Sequence, residues 1–202
     1  MFLNWANRIT VLRTLLIVPF VIFLLNMNDG HLSEAASRMM RYSSVVLLVI
    51  MGLGDWLDGY LARKKGQITS LGSFLDPTAD KLLMSCACIL LATERAGVEG
   101  FILPSPVVVL IIGKDLFLLI GFIIVYFITE QIRIVPAVIG KTATGLQLTM
   151  VGAVLLAPEI SQLFTEWIWC LRILWWSAAL TAISATLIYI RRGSLYIEEY
   201  ER

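Results

Sequence analysis

The stretch that decides the fold and chemistry of this chain is residues 55–80, DWLDGYLARKKGQITSLGSFLDPTAD. Four aspartates stand in it within a strongly apolar chain: Asp55, Asp58, Asp76 and Asp80. A carboxylate inside a bilayer costs a few kcal/mol, and clustered oxygens are the ligands that hard divalent cations prefer. The stretch therefore predicts a site for one or two Mg²⁺ or Mn²⁺ ions.

The spacing of the aspartates indicates two helices that meet at this site. Asp55 and Asp58 are three residues apart and Asp76 and Asp80 are four apart, so each pair falls on one face of a helix. The joining segment, residues 64–70, contains a glycine and can reverse the chain. We expect two antiparallel helices that bring both carboxylate pairs together near the cytoplasmic surface of a membrane.

Small and basic residues accompany the aspartates. Gly59, Ala62 and Gly72 leave room for a ligand to approach the helix backbone closely, although helix packing through small residues accounts for each of them equally well. Arg63 offers a planar fork of donors that suits phosphate oxygens. Its alternative role is a charge that flanks the membrane.

The composition predicts an all-α, polytopic membrane protein. Of the 202 residues 58% are hydrophobic and only 15% are charged, with a mean hydropathy of +0.83, whereas soluble domains are about a quarter charged. Apolar segments long enough to span a bilayer recur along the chain. We expect a bundle of six transmembrane helices in a single domain, residues 1–202, with spans at 9–27, 42–62, 71–93, 104–128, 136–157 and 167–190. Residues 1–8 either form a short interfacial helix or fray.

The distribution of lysine and arginine predicts the orientation in the membrane. These residues are frequent near both termini and after the second predicted span, and they do not occur in the segment Pro158–Glu166. Arg38 and Arg41, in the first predicted loop, are the exceptions. We expect both termini and the aspartates to face the cytoplasm at the cell membrane, with no cleavable signal peptide. The net charge of +1 does not indicate a nucleic-acid partner.

The aspartate stretch resembles the signature of the CDP-alcohol phosphotransferases, D-x-x-D-G-x-x-A-R-x8-G-x-x-x-D-x-x-x-D, and matches it at every position. Longer segments extend the resemblance to the family: residues 7–13, 139–141 and 189–193. Residues 54–63 and 72–81 look closest to the phosphatidylglycerophosphate synthases of this family. The resemblance implies an enzyme that cleaves the pyrophosphate of CDP-diacylglycerol, releases CMP and passes the phosphatidyl group to glycerol 3-phosphate. It also implies a homodimer.

The resemblance assigns roles to the signature residues. Two divalent ions would be held against the donor pyrophosphate by Asp55, Asp58, Asp76 and Asp80. Asp80 would in addition act as the general base toward the acceptor hydroxyl. The CDP site would be lined by Gly59, Ala62, Arg63 and Gly72, with Arg63 on phosphate.

The acceptor that the resemblance implies is a dianion and needs a cationic pocket, for which the candidates are two lysines in apolar segments, Lys114 and Lys141. Either could bind the phosphate of glycerol 3-phosphate, but an ion pair with Asp115 is the alternative for Lys114 and a snorkelling helix-end lysine is the alternative for Lys141. The glycerol-phosphate enzymes lead us to expect arginine at position 114 and lysine at position 143, where this chain has Ala143. These departures leave room for a cardiolipin synthase of the same family, which uses the phosphodiester phosphatidylglycerol as acceptor.

Two other classes of membrane protein compete with an enzyme. Intramembrane carboxylates also mark the pathways of cation and proton transporters, but transporters commonly carry matching features in both halves. Here the acidic cluster is confined to the second and third predicted spans and has no counterpart in the fifth and sixth. A structural protein would retain four costly aspartates without using them.

Overall fold

The computed structural model describes residues 5–65, 70–129 and 138–200. Side chains are described at these positions except at 5–10, 55–65, 70–79, 122, 125–126, 128–129, 138–139, 141 and 196–200. Every regular element in the described residues is an α-helix, which confirms the all-α prediction. The helices are α1 (Trp5–Asn26), α2 (Glu34–Lys65), α3 (Ser70–Leu91), α4 (Ser105–Thr129), α5 (Val138–Leu155), α6 (Ala157–Leu163) and α7 (Trp167–Tyr200).

Each predicted span falls on one of these helices, but the helix ends differ from the predicted ones. Helix α2 begins at Glu34, within the predicted first loop, because the Ser33 hydroxyl accepts the backbone N–H of Ala36 at 3.3 Å and caps the helix. Arg38 and Arg41 therefore lie on α2 and not in a loop. Trp5 to Arg8 continue directly into α1, so the described residues contain no separate helix before the first span.

A short helix, α6, occupies part of the segment that we predicted to be a loop. Pro158 lies in the first turn of α6. Proline, which lacks a backbone N–H, is tolerated there because an N–H at that position would have no partner within the helix. Glu159 is also in the first turn and favours a helix start through the helix dipole. The axes of residues Thr142–Leu155 and Ala157–Leu163 meet at 71°.

Within the described residues, two helical segments are long and apolar enough to cross a membrane, Glu34–Gly54 and Trp167–Leu195. The bent pair α5 and α6 makes a third if it forms one broken span. These segments agree with a helical membrane protein. The count of six spans is not confirmed by this measure and stays a prediction.

The chain divides into two compact units. The first contains Met1–Leu103 and Val151–Thr165, and in it α1 packs against both α2 and α3. The buried face of α1 includes Ile17, Phe20 and Leu24, and Met27 continues it one residue past the end of the helix. Their spacing of three and four residues is that of a helix stripe facing a core. This unit holds the whole aspartate stretch.

The second unit contains Pro104–Met150 and Glu166–Arg202, and in it α4 packs against α7. The buried face of α7 begins with Leu171 and Trp175 and continues with the small residues Ala178, Ala182 and Ala185. The small residues let the helix backbones approach closely, as is typical of membrane helices. The opposite face of α7 exposes Ile173, Trp176, Leu180, Ile183 and Leu187, a stripe suited to lipid.

Candidate active site

The described backbone places the aspartates on the two helices that their spacing predicted. Asp55 and Asp58 lie in the last three turns of α2, and Asp76 and Asp80 lie in the first three turns of α3. Each pair therefore shares a face of its helix. Asp55 and Asp58 stand seven residues after the buried Leu48 and Met51, respectively. Most of the turn that we predicted between the helices, residues 66–69, lies outside the described residues.

Asp80 is the signature residue whose side chain the structure describes, and it forms an ion pair with Arg13. The Asp80 Oδ1 atom lies 3.2 Å from Arg13 Nη1. The guanidinium of Arg13 comes from α1 and is 3% exposed, whereas the Asp80 side chain is 32% exposed. A buried arginine must have an anionic partner, so this contact fixes one carboxylate oxygen of Asp80 and leaves the group partly accessible.

The pairing of Arg13 was not predicted from the sequence, where this residue counted only among the lysines and arginines near the N-terminus. A signal was present in the sequence. Arg13 stands four residues before Ile17 and seven before Phe20, which puts it on the same stripe as the core residues of α1. An arginine at a core position of a membrane helix needs a carboxylate nearby, and Asp80 supplies it.

The donor set of this stretch fits a hard divalent cation, because carboxylate oxygens are the preferred ligands of such ions. The partly exposed Asp80 carboxylate retains oxygen lone pairs beside its ion pair. The remaining signature side chains lie outside the described part of the structure, and their roles stay predictions: Asp55, Asp58, Asp76, Gly59, Ala62, Arg63 and Gly72.

Lys114, one of the two predicted acceptor residues, is buried in the second unit and paired with its neighbour. Its Nζ atom lies 3.3 Å from Asp115 Oδ1, and the two side chains are 4% and 13% exposed. The ion pair that we considered as the alternative role is therefore present. A lysine compensated by a carboxylate has less charge to offer a second anion.

Helix α5 carries a buried amide that the sequence analysis did not single out. Gln147 is 1% exposed, and its Nε2 atom has no hydrogen-bond partner in the described structure. Leaving a buried donor unsatisfied costs about 1–3 kcal/mol, so such a group is a candidate ligand contact. Ala143, one turn earlier, is fully buried. Its helical spacing of four from Gln147 places both on one face.

Lys141, the other predicted acceptor residue, directly follows Gly140, whose lack of a side chain leaves room for Tyr189. A Cβ atom at Gly140 would lie 2.6 Å from the Tyr189 hydroxyl oxygen, closer than real Cβ contacts. Glycine therefore allows Tyr189 of α7 to approach the first turn of α5. The backbone of Lys141 lies in that turn, while its side chain lies outside the described part.

The comparison with protein families decides what kind of protein carries this site. The family model described as CDP-alcohol phosphatidyltransferase matches residues 3–189. This chain belongs to the CDP-alcohol phosphatidyltransferase family. The match includes α1 with Arg13, the whole aspartate stretch and the helices that carry Lys114 and Lys141, so the family resemblance inferred from the signature is confirmed.

Curated relatives carry the names of two kinds of CDP-alcohol phosphatidyltransferase. The CDP-diacylglycerol–glycerol-3-phosphate 3-phosphatidyltransferase of Bacillus subtilis (strain 168) is 35% identical over 156 residues, which cover 76% of this chain and 77% of the relative. The protein of the same name from Pseudomonas fluorescens is 41% identical over 115 residues, 56% of this chain and 52% of the relative. A probable cardiolipin synthase (CMP-forming) of Drosophila melanogaster is 30% identical and covers 91% of this chain but 56% of the relative.

Proposed function

We propose that this CDP-alcohol phosphatidyltransferase transfers the phosphatidyl group of CDP-diacylglycerol to the hydroxyl of glycerol 3-phosphate, giving phosphatidylglycerophosphate and CMP. The names of the Bacillus subtilis and Pseudomonas fluorescens relatives support this donor and this acceptor. The observation that carries the proposal is the carboxylate of Asp80, the last residue of the matched signature, held by the buried Arg13.

In this mechanism Asp80 accepts the proton of the acceptor hydroxyl, whose oxygen attacks the phosphatidyl phosphorus as the bond to CMP breaks. A general base must be accessible and held in one orientation. The partial exposure of Asp80 supplies the first property and its contact with Arg13 the second. We propose that Arg63, Gly59, Ala62 and Gly72 bind the CDP group.

Two divalent cations, Mg²⁺ or Mn²⁺, complete the proposed site. Asp55, Asp58, Asp76 and Asp80 would hold them. When bound, these ions would neutralise the negative charge that spreads over the phosphate oxygens during transfer. Orienting the donor and accepting the proton remain tasks of the protein side chains.

A second acceptor, phosphatidylglycerol, is favoured by specific observations. Lys114 is neutralised by Asp115, and a fully buried alanine stands at position 143, so two of the cations expected for a phosphate monoester are weakened or missing. The relative named as a probable cardiolipin synthase covers 91% of this chain. Lys114 and Lys141 would then contact a phosphodiester, which carries less charge than glycerol 3-phosphate.

We further propose that the enzyme is a homodimer in the cell membrane, with six spans and with the signature facing the cytoplasm. The apolar helices and the family support a membrane location. The excess of lysine and arginine after α2 and near both termini supports the orientation. At this depth the lipid tails of the donor can stay in the bilayer while its head group reaches the aspartates.

The experiment that tests this proposal is a detergent assay of the full chain with CDP-diacylglycerol and Mn²⁺. Glycerol 3-phosphate and phosphatidylglycerol are offered separately, and the lipid product and released CMP are measured together. We expect phosphatidylglycerophosphate and CMP in equal amounts from glycerol 3-phosphate. If cardiolipin formed from phosphatidylglycerol and no product formed from glycerol 3-phosphate, phosphatidylglycerol would replace glycerol 3-phosphate as the acceptor. If neither acceptor led to release of CMP, both proposals would be contradicted.

A further inference from the structure

The two arginines that contradict the predicted orientation, Arg38 and Arg41, lie on α2 far from the aspartates. Asp55 comes seventeen positions after Arg38, which corresponds to about 25 Å along a helix axis. Arg41 is buried and paired with Glu159 of α6, whose Oε1 atom also accepts the hydroxyl of Tyr42 at 2.8 Å. Arg41 is therefore accounted for by a contact within the protein.

Arg38 is exposed, and no acidic side chain lies within ion-pair distance of it in the described structure. It lies where two cavities of the first unit meet. One is an apolar groove of about 560 Å³ lined by Phe23, Met39, Tyr42, Val46 and Leu47. The other is a polar cavity of about 340 Å³ lined by Asn28, Arg41, Glu99 and Pro158. Arg38 lines both.

The apolar groove runs away from Arg38 into the depth of the candidate span Glu34–Gly54. Val46 is eight residues beyond Arg38, about 12 Å along the helix. Phe23 from α1 forms the opposite wall. The groove therefore begins at a cation near one end of the span and continues along apolar side chains, which is the order of groups in a phospholipid.

The polar cavity has a fixed wall and one acidic group. The Asn28 amide donates to the carbonyl oxygens of Gly97, at 2.7 Å, and Glu94, at 3.3 Å, which ties the loop after α1 to the loop after α3. Glu99 lines this cavity and has no basic partner within ion-pair distance in the described structure. The two cavities together thus offer one uncompensated cation and one uncompensated anion.

We propose that these cavities bind a zwitterionic membrane phospholipid with an amino head group. Its phosphate would contact Arg38, its ammonium group would contact Glu99 in the polar cavity, and one acyl chain would lie in the apolar groove. Arginine binds phosphate through several charge-assisted hydrogen bonds. The site lies at the opposite end of α2 from the signature and requires nothing of the transfer reaction. The site gives a role to Arg38, an exception to the distribution of lysine and arginine from which the orientation was predicted.

The test is native mass spectrometry of the full chain in detergent, titrated with phosphatidylethanolamine, a lipid that is neither donor nor acceptor in the proposed reaction. Arg38→Gln removes the phosphate contact and should weaken binding of one lipid about tenfold, the low end for a charge-assisted contact at an exposed site. Val46→Trp fills the groove with Arg38 intact and should weaken the same binding. Glu99→Gln should do so to a smaller extent.

Arg95→Gln is the matched control, because Arg95 is exposed and lines neither cavity. It should bind phosphatidylethanolamine like the unmodified chain. Equal affinity in Arg38→Gln and the unmodified chain would overturn the phosphate contact. Equal affinity in Val46→Trp would place the lipid elsewhere, and an equal loss in Arg95→Gln would show that binding follows overall charge and not this site.

Discussion

Among the described residues of the first unit, two buried arginines pair with carboxylates, one of which we propose as the general base and one of which makes contacts within the protein. Arg13 contacts Asp80 and Arg41 contacts Glu159, with both carboxylate side chains 32% exposed. Asp80 belongs to a stretch with three further aspartates, whereas the same oxygen of Glu159 binds both Arg41 and Tyr42. Asp80 and Glu159 therefore have the same exposure and the same kind of ion-pair partner, and they differ in the groups around them.

Removal of divalent cations should give the largest effect, because the proposed metal ligands include Asp80 and not Glu159. In excess chelator, transfer should fall by more than about a thousandfold, since bound metals supply several kcal/mol to such reactions. The melting temperature of the protein should change far less. Added Mg²⁺ or Mn²⁺ should restore CMP release, and full activity in chelator would contradict the metal-binding role of the aspartates.

Arg13→Gln should lower kcat about a hundredfold, the cost expected when a catalytic group is misplaced by about 1 Å. The KM for CDP-diacylglycerol should change little, because Arg13 acts through Asp80. Arg13→Lys keeps the charge without the fork geometry and should recover part of kcat. A variant that loses stability but keeps kcat would mean that Arg13 is structural, as Arg41 is.

Arg41→Gln is the converse test in the structural pair. Without its cation, the partly buried Glu159 loses a charge-assisted hydrogen bond, which should lower the stability by about 1–2 kcal/mol. Thermal unfolding in detergent measures this loss, and kcat should stay within twofold of the unmodified enzyme (about twofold corresponds to 0.4 kcal/mol). A large fall in kcat at unchanged stability would remove the distinction between the two pairs.

Gly140→Ala should have the smallest effect of these variants. It tests a close contact in the second unit, between Gly140 and Tyr189. The added Cβ would meet the Tyr189 hydroxyl at 2.6 Å, and the strain should cost about 1 kcal/mol of stability. The next ring atom of Tyr189 lies at an ordinary 3.6 Å, so Gly140→Ala should cost little stability in a chain that already carries Tyr189→Phe. An equal cost in the Tyr189→Phe chain and in the unmodified chain would contradict this contact.

The fold was largely predictable because apolar length and helical spacing are local properties of the sequence. The aspartate spacing placed Asp80 on a helix, and apolar runs located the principal helices. The start of α2 was missed because Ser33 acts as a cap only once the chain turns there. Helix α6 was missed because its seven residues are too few for a periodic pattern.

The partners of the charged residues were harder to predict, because they depend on packing between distant helices. The stripe of α1 could have shown that Arg13 is buried, but no local pattern names Asp80 as its partner, 67 residues later. The pairing of Lys114 with Asp115 was foreseen as an alternative because the two residues are adjacent. Gln147 is conspicuous only through its burial.

The most direct test of the central claim compares Asp80→Asn with Glu159→Gln in the transfer assay with CDP-diacylglycerol. Loss of a general base costs about 10²–10⁴-fold, so Asp80→Asn should lose at least that much kcat while it still binds the donor. Glu159→Gln should keep kcat. Normal turnover in Asp80→Asn, or an equal loss in both variants, would contradict the assignment of Asp80 as the catalytic carboxylate.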